Sequence, residues 1–428
     1  MSTKVLDQIL DKYTDPAKCV FNGATFIAVD NKGNTLYKRA AGKLRFDPNE
    51  NAPLQPDSLC WVASMTKVVT AVAVMQLVER KLLDLDQDVR DIVPELRDLE
   101  VLVGFEEPAE SQAATRVAEP ETPTPLAKPV MEKIKGKLTI RHLVCHMSGF
   151  VYDRHPQLLR WSEAVGRQNH MWEGSMRGYT HPLLFQPGTS WGYGPGIDWA
   201  GQAIEKVTGL SLEDYMQANI WSKLGAKHTT FHPELRPAGD LPPQQEMGLR
   251  PGGPKGTAPL GPGPIIMDYP LKDDLGGIGL FSTAADFVRL LTALVNGGSP
   301  LLGEEATQEL FRPQLDKATR KDMLMPLGAR TRRVLGVEDF QEEKADYCLA
   351  GTTTMEDLPG RRKKGSASWA GFPNLHWWVD PISGIAGTLF TQIMPPGDEV
   401  TVDFFLEMET ALYAMVNERN KKKDGSRL

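Results

Sequence analysis

Cysteine is scarce in this chain: four in 428 residues, at Cys19, Cys60, Cys145 and Cys348, and no two form a C-x-x-C pair. That scatter excludes a cysteine zinc site and offers no disulfide framework, so reduced thiols in a cytoplasmic protein are expected. Long apolar runs are absent. No stretch reaches the roughly 18 residues of a membrane span, and the start, Met1-Ser2-Thr3-Lys4-Val5, lacks the apolar centre of a signal peptide. Positive charge is not in excess. The net charge of −7 leaves no basic footprint for nucleic acid, and the runs Arg361-Arg362-Lys363-Lys364 and Lys421-Lys422-Lys423 have the character of solvated loop and tail. There is no H-E-x-x-H or other metal-ligand spacing, no glycine-rich loop in a strand–helix context, and no internal repeat. These absences leave no expected metal, cofactor, nucleic-acid partner or membrane.

What remains is ordinary globular composition, 41% hydrophobic and 24% charged, on a chain long enough for two or three units or one interrupted domain. Residues 4–13 carry an amphipathic helical pattern. Strand-like runs follow at Ala24 to Val29 and Thr35 to Arg39, joined by the turn-rich Asp30-Asn31-Lys32-Gly33-Asn34. Further strands are expected at Leu375 to Val379 and Ile385 to Gln392, and a last helix at about Val402 to Glu418. Strands at both ends with helices between predict an α/β sheet domain built from residues 1–80 and 270–428, and a mainly helical domain over 81–269. Within the latter, five prolines between Pro108 and Pro129 mark a mobile insertion at about 104–137. A second stretch dense in Pro and Gly, about 237–264, is expected as a mobile loop or binding-site wall.

The most telling segment is Ser64-Met65-Thr66-Lys67. Nine of the next eleven residues, Val68 to Val78, are apolar, and only Thr70 and Gln76 interrupt. Such a run predicts a helix buried on most sides. Positions three apart share a helix face, so a hydroxyl and an amine would meet at a buried helix N-terminus. Lost hydration favours the neutral amine, which then takes the serine proton and makes the hydroxyl nucleophilic.

Competing groups fare less well. Gly188-Thr189-Ser190-Trp191-Gly192 fits G-x-S-x-G formally, but that motif needs a strand before the serine and a helix directly after it. Here Gln186-Pro187 precedes and Tyr193-Gly194-Pro195 follows. Cys60 lies in Leu59-Cys60-Trp61-Val62, a buried strand pattern that suits inert packing. Asp198 and His376 are weaker candidates for a Ser-His-Asp set. Tyr193 sits in a rigid turn between Pro187-Gly188 and Pro195-Gly196, where a phenol beside a lysine ammonium acts as a base.

Four segments in order then carry a resemblance: Ser64-Met65-Thr66-Lys67, Leu143-Val144-Cys145-His146-Met147-Ser148-Gly149, Pro187-Gly188-Thr189-Ser190-Trp191-Gly192-Tyr193, and Gly276-Gly277-Ile278-Gly279-Leu280-Phe281-Ser282-Thr283. Together, over roughly residues 20–415, the chain resembles the serine β-lactamase class C and penicillin-binding-protein-like superfamily. Within it, the pattern is similar to the family VIII carboxylesterases and the fungal lovastatin-type acyltransferases (transesterases). The resemblance implies a β-lactamase/transpeptidase-like α/β fold, a central antiparallel sheet flanked by helices with an inserted helical domain. It implies a triad of Ser64, Lys67 and Tyr193 and a structural role for His146. It also implies an oxyanion hole from the N–H groups of Ser64 and of a residue at Gly371–Phe372, taken here as Phe372.

Two departures direct the substrate. Trp369-Ala370-Gly371 stands where β-lactamases carry a K-T-G strand, as in the esterase and transesterase branch, and Trp369 cannot bind a substrate carboxylate. Tyr193-Gly194-Pro195 replaces Y-x-N, and proline offers no side-chain hydrogen bond to a lactam. Weak or absent β-lactamase activity is therefore expected, with Trp369, Gly371, Phe372, Trp191 and Trp172 around an uncharged acyl substrate. The resemblance implies a transesterase that passes an acyl group from an ester or thioester, on an acyl carrier protein or coenzyme A, to an alcohol of a polyketide-like small molecule. A carboxylesterase for apolar esters is the alternative, and a non-catalytic binding protein on the same fold is the alternative of another class.

Overall fold

Alternation along one strand sets the layering. In the computed structural model, which describes residues 3–106, 127–256 and 258–425, β1 spans Gly23–Asp30. Its Ala24, Phe26 and Ala28 enter one buried cluster, while Ile27 and Val29 enter another, because successive side chains point to opposite faces. β2 (Thr35–Gly42) pairs with β1 and is more exposed. The turn between them is held by Asp30, whose carboxylate accepts from the N–H groups of Lys32 and Asn34 at 2.9 and 2.8 Å. This is the local chemistry that makes Asp and Asn good turn formers.

Five more strands come from the far end of the chain: β3 (Ala345–Tyr347), β4 (Thr352–Thr354), β5 (Ala367–Gly371), β6 (Leu375–Asp380) and β7 (Ile385–Phe390). The seven strands lie in the order β2-β1-β7-β6-β5-β4-β3, and each neighbouring pair is antiparallel. The β1–β7 pairing, Thr25 opposite Phe390 and Asp30 opposite Ile385, joins the two ends of the chain in one sheet.

One face of the sheet is covered by α1 (Lys4–Tyr13) and the helix Glu399–Gly425, through Leu6, Leu10, Phe404, Phe405 and Met408 packed on Phe26, Trp378 and Leu389. The other face meets α2 (Thr66–Glu79) and the helix Ala284–Val295, where Phe287 and Phe390 lie 6.0 Å apart between ring centres. α2 is apolar all round, and every residue from Thr66 to Leu77 is buried. Its polar interruptions are satisfied, as burial demands. Thr70 Oγ1 donates to Gly276 O at 2.6 Å, and Gln76 Nε2 donates to Asn219 O and Leu301 O at 3.1 and 3.2 Å.

The intervening part of the chain holds short helices, the longer helix Gly196–Thr208, and a hairpin of Glu100–Glu106 with Lys128–Lys133. That hairpin occupies both flanks of the insertion expected at 104–137; residues 107–126 lie outside the described residues. In the stretch 237–264, Gly248–Leu249 pairs with Ile393–Met394 and with Gly261–Pro262. The buried Arg250 and Asp398 form an ion pair beneath it. The last helix is longer than the apolar pattern suggested, since its final turns are polar. Among the described residues no helix is long and apolar enough to cross a membrane.

Candidate active site

Ser64 lies in a single 3-10 turn, Ala63–Met65, between the short strand Leu59–Trp61 and α2. The turn is pinned from one side by the segment 276–283. Val62 N–H donates to Leu280 O at 3.0 Å, the Trp61 indole N–H to Ile278 O at 2.8 Å, and Leu280 N–H to Thr66 Oγ1 at 3.2 Å. Ala63 has φ +46°, a left-handed conformation that costs a non-glycine residue energy and persists only where the surroundings impose it. Ser64 is 7% exposed and Lys67 2%, so the serine and lysine face each other in the interior, as the helical spacing predicts.

The Lys67 side-chain nitrogen has three partners: Ser64 Oγ at 3.3 Å, the Tyr152 hydroxyl at 3.0 Å and Gly277 O at 2.8 Å. A carbonyl only accepts, so Gly277 fixes one N–H. The other two partners are hydroxyls, each able to donate or accept. An ammonium donates to all three, and a deprotonated amine keeps all three by donating two hydrogen bonds and accepting one from a hydroxyl.

Tyr152 is the residue the sequence reading missed. Its signal was its place three residues after Gly149, just beyond the His146–Gly149 segment. Burial, then the neighbouring Tyr193 and Asp198, hold the Tyr152 pKa well above that of a free phenol, so it stays protonated near neutral pH.

Tyr193 is placed differently. The Lys67 nitrogen lies over its ring, 4.8 Å from the centre, and its hydroxyl accepts from the Trp369 indole N–H at 3.1 Å. The loop carrying it is tied to the 146–152 turn. Gly192 N–H donates to His146 O at 2.9 Å, Tyr152 N–H to Tyr193 O at 3.3 Å, and Gly194 N–H to His146 Nδ1 at 3.4 Å. A side chain at Gly194 would meet Phe150 O at 2.4 Å, which explains glycine there. Because Nδ1 accepts, the His146 proton sits on Nε2. Burial, with the Lys67 charge nearby, pushes the His146 pKa well below its ordinary value. His146 thus holds the tyrosine loop from behind.

β5 approaches the serine turn from the opposite side. Gly371 is required at the contact, since a Cβ there would lie 2.5 Å from Val62 O. The Phe372 N–H, just beyond, has no hydrogen-bond partner among the described residues. Ser64, Trp191, Tyr193, Trp369, Gly371 and Phe372 line one cavity of about 270 Å³ whose walls are mostly apolar. Trp172 is not on that wall; it packs edge-on against Phe372 with ring centres 5.1 Å apart.

Among the described residues none of the other candidates hydrogen bonds to Ser64 or Lys67. Ser190 donates to Asp322 at 2.6 Å and serves as a tether. Cys60 is buried, its thiol pKa raised by desolvation, with Sγ 3.4 Å from Gln245 Oε1. Asp198 is fully buried and accepts the Gly277 N–H at 2.7 Å, so it braces the peptide whose carbonyl holds Lys67. His376 is on the far face of the sheet, stacked 4.5 Å from Phe405. Among the described residues no group of His, Cys, Asp and Glu could hold a metal ion.

A seven-stranded antiparallel sheet, helices on both faces and a buried Ser–Lys pair at the start of a core helix define the class, and the chain belongs to the Beta-lactamase family, whose model matches residues 6–412. It is 33% identical to a lovastatin esterase of Penicillium rubens over 88% of this chain and 90% of that one. It is 31% identical to a monacolin J acid methylbutanoyltransferase of Aspergillus terreus, over 92% and 91%. Among solved structures, a mutant simvastatin synthase from Aspergillus terreus superimposes with a TM-score of 0.82 at 30% identity, covering 97% of this chain and 98% of that one. The protein is an enzyme with acyltransferase or esterase activity on the β-lactamase-like fold.

Proposed function

We propose that the protein transfers an acyl group through an acyl-Ser64 intermediate, from an ester or thioester donor to an alcohol on a polyketide-like small molecule. The observation that carries this reading is the Lys67 nitrogen, held between Ser64 Oγ and Gly277 O beside an apolar cavity. Neutral Lys67 takes the Ser64 proton as Oγ attacks the donor carbonyl. The N–H groups of Ser64 and Phe372 hold the resulting oxyanion; each such donor is worth about 3 kcal/mol of barrier. The leaving thiolate or alkoxide departs with the proton, delivered from Lys67 through Tyr193, the one tyrosine of the pair that lines the cavity. An acceptor alcohol enters, loses its proton to the same groups and attacks the acyl carbonyl. Ser64 regains its proton as the new ester forms.

The monacolin J acid methylbutanoyltransferase relative supports transfer to a small polyketide acceptor. An acyl carrier protein or coenzyme A thioester is the donor in this proposal. The free cysteines support a cytoplasmic setting. The indole of Trp369 and the Tyr193-Gly194-Pro195 sequence argue against β-lactams as substrates. A second reading, hydrolysis of apolar esters, is favoured by the similarity to lovastatin esterase and uses the same intermediate with water as acceptor. The two are separated by supplying an acyl thioester with and without a panel of small alcohols. Ester products at the expense of free acid are expected; free acid alone across the whole panel would assign the esterase reading.

A further inference from the structure

The cavity beside Ser64 does not end at the near face of the sheet. Residues opposite each other in antiparallel strands share a face. Trp369 pairs with Trp377 and Ala370 with His376, and the stacking of His376 on Phe405 places the Ala370–His376 face toward the C-terminal helix. Residues of both faces line the same cavity: Trp369 and Trp377 on one side, His376, Val402 and Phe405 on the other. A cavity touching both faces of a sheet passes around a strand edge, and the edge is open where required. β4 covers β5 only at Ala367 and Ser368, which leaves Ala370 and Gly371 without a neighbouring strand on that side. Beyond the edge the chamber is lined by the helix Ala329–Leu335, through Thr331, Val334 and Leu335, and by the C-terminal helix.

A buried polar side chain is left over on this apolar wall. His376 is 8% exposed, and neither ring nitrogen hydrogen bonds to a described residue. Burial, with Arg362 nearby, lowers its pKa to about 3, so it is a neutral ring with one donor and one acceptor nitrogen. A ligand oxygen in the cavity would give one of these nitrogens a partner.

Resting on the acyl-Ser64 reading, we infer that the chamber behind β5 is the acyl-chain site, shaped for a flexible aliphatic chain that rounds the strand edge at Ala370 and carries a hydroxyl or keto oxygen to His376. Ping-pong chemistry assigns the occupant. The leaving group and the acceptor exchange in every turnover and need a path between Ser64 and solvent. The acyl chain stays attached to Ser64 through both half-reactions, so the apolar chamber behind β5 suits it.

The experiment uses N-acetylcysteamine thioesters from acetyl to decanoyl, plain and hydroxylated at successive carbons, with Ser64 acylation followed by intact mass. Blocking the chamber from either wall, with Val402→Trp or Thr331→Trp, slows the long chains by about 10-fold or more and leaves acetyl transfer near wild type, the scale set by removing space for a few methylenes. In the wild type one hydroxylated position is acylated roughly 10-fold faster than the plain chain, and His376→Phe abolishes that advantage. Acetyl transfer is the folding control, and with two wall variants one misfolded protein leaves the other decisive. The chamber assignment is overturned if the correctly folded wall variants treat acetyl and decanoyl alike. The oxygen is overturned if no hydroxylated position is favoured or if His376→Phe keeps the preference. Failure of every thioester, acetyl included, to acylate the wild type would strike the acyl-Ser64 reading instead.

Discussion

Trp369 donates its indole N–H to the Tyr193 hydroxyl across 3.1 Å. Indole only donates, so the phenol oxygen is the acceptor and its own proton remains free to move. The residue that removes a carboxylate-binding lysine from β5 therefore also orients the phenol at the cavity wall. Trp369→Phe keeps an aromatic wall and deletes the N–H. A lost hydrogen bond of about 0.5–1.5 kcal/mol corresponds to roughly a 2- to 12-fold fall in kcat. Steady-state kinetics with a short acyl thioester should show the loss in kcat, with KM nearly unchanged; a change confined to KM would make Trp369 a binding wall alone.

The two tyrosines near Lys67 separate by substitution. Tyr193→Phe removes the phenol that lines the cavity and should cost about 10²–10⁴-fold in kcat, the range for a proton-transfer group. Tyr152→Phe removes a 3.0 Å partner of Lys67 and should cost roughly 10-fold, the upper end of the scale for one ordinary hydrogen bond. The reverse order of effects would move the proton-transfer role to Tyr152.

Gly371→Ala tests the approach of β5 to the nucleophile turn. The added carbon would lie 2.5 Å from Val62 O, so the strand or the turn must move. A shift near 1 Å between nucleophile and oxyanion donors costs about 100-fold in rate. Stopped-flow acylation should fall by that order while circular dichroism stays native; unchanged acylation would remove the strand from the oxyanion hole.

Asp198 makes stability depend on pH. Burial raises its pKa from 3.8 to about 6, against the opposing pull of Lys67 and the Gly277 N–H. Between those values the unfolded chain releases the proton first, so Asp198 lowers stability as pH rises through that window. Two units at about 1.4 kcal/mol each make the loss about 3 kcal/mol, complete above the folded value. Asp198→Asn still accepts from Gly277 and does not titrate. Urea unfolding at pH 4, 5, 6 and 7 should show the wild type losing stability relative to the variant up to about pH 6; parallel curves would contradict the buried ionisation.

Much of this site was legible because its residues obey local rules. Ser64 and Lys67 follow from helical spacing and the apolar run behind them, whereas Trp369 and Gly371 came from the resemblance of Trp369-Ala370-Gly371 to a family motif. β1 and β2 were marked by two strand-like runs and the turn-rich Asp30–Asn34 segment between them. Tyr152 stayed hidden because its contact with Lys67 is made 85 residues away in the chain and no spacing rule reaches that far. Trp172 was assigned to the pocket by residue type, and it supports Phe372 from outside the cavity. His376 looked like a weak catalytic candidate because sequence shows its residue type and not the sheet face it occupies.

The central claim is that Ser64 carries the acyl group. Intact-mass analysis after incubation with an acyl thioester, followed by peptide mapping, tests it most directly. One acyl mass on the peptide containing Ser64, present in Ser190→Ala and absent in Ser64→Ala, is the expected result. Labelling that persists in Ser64→Ala and disappears in Ser190→Ala would contradict it.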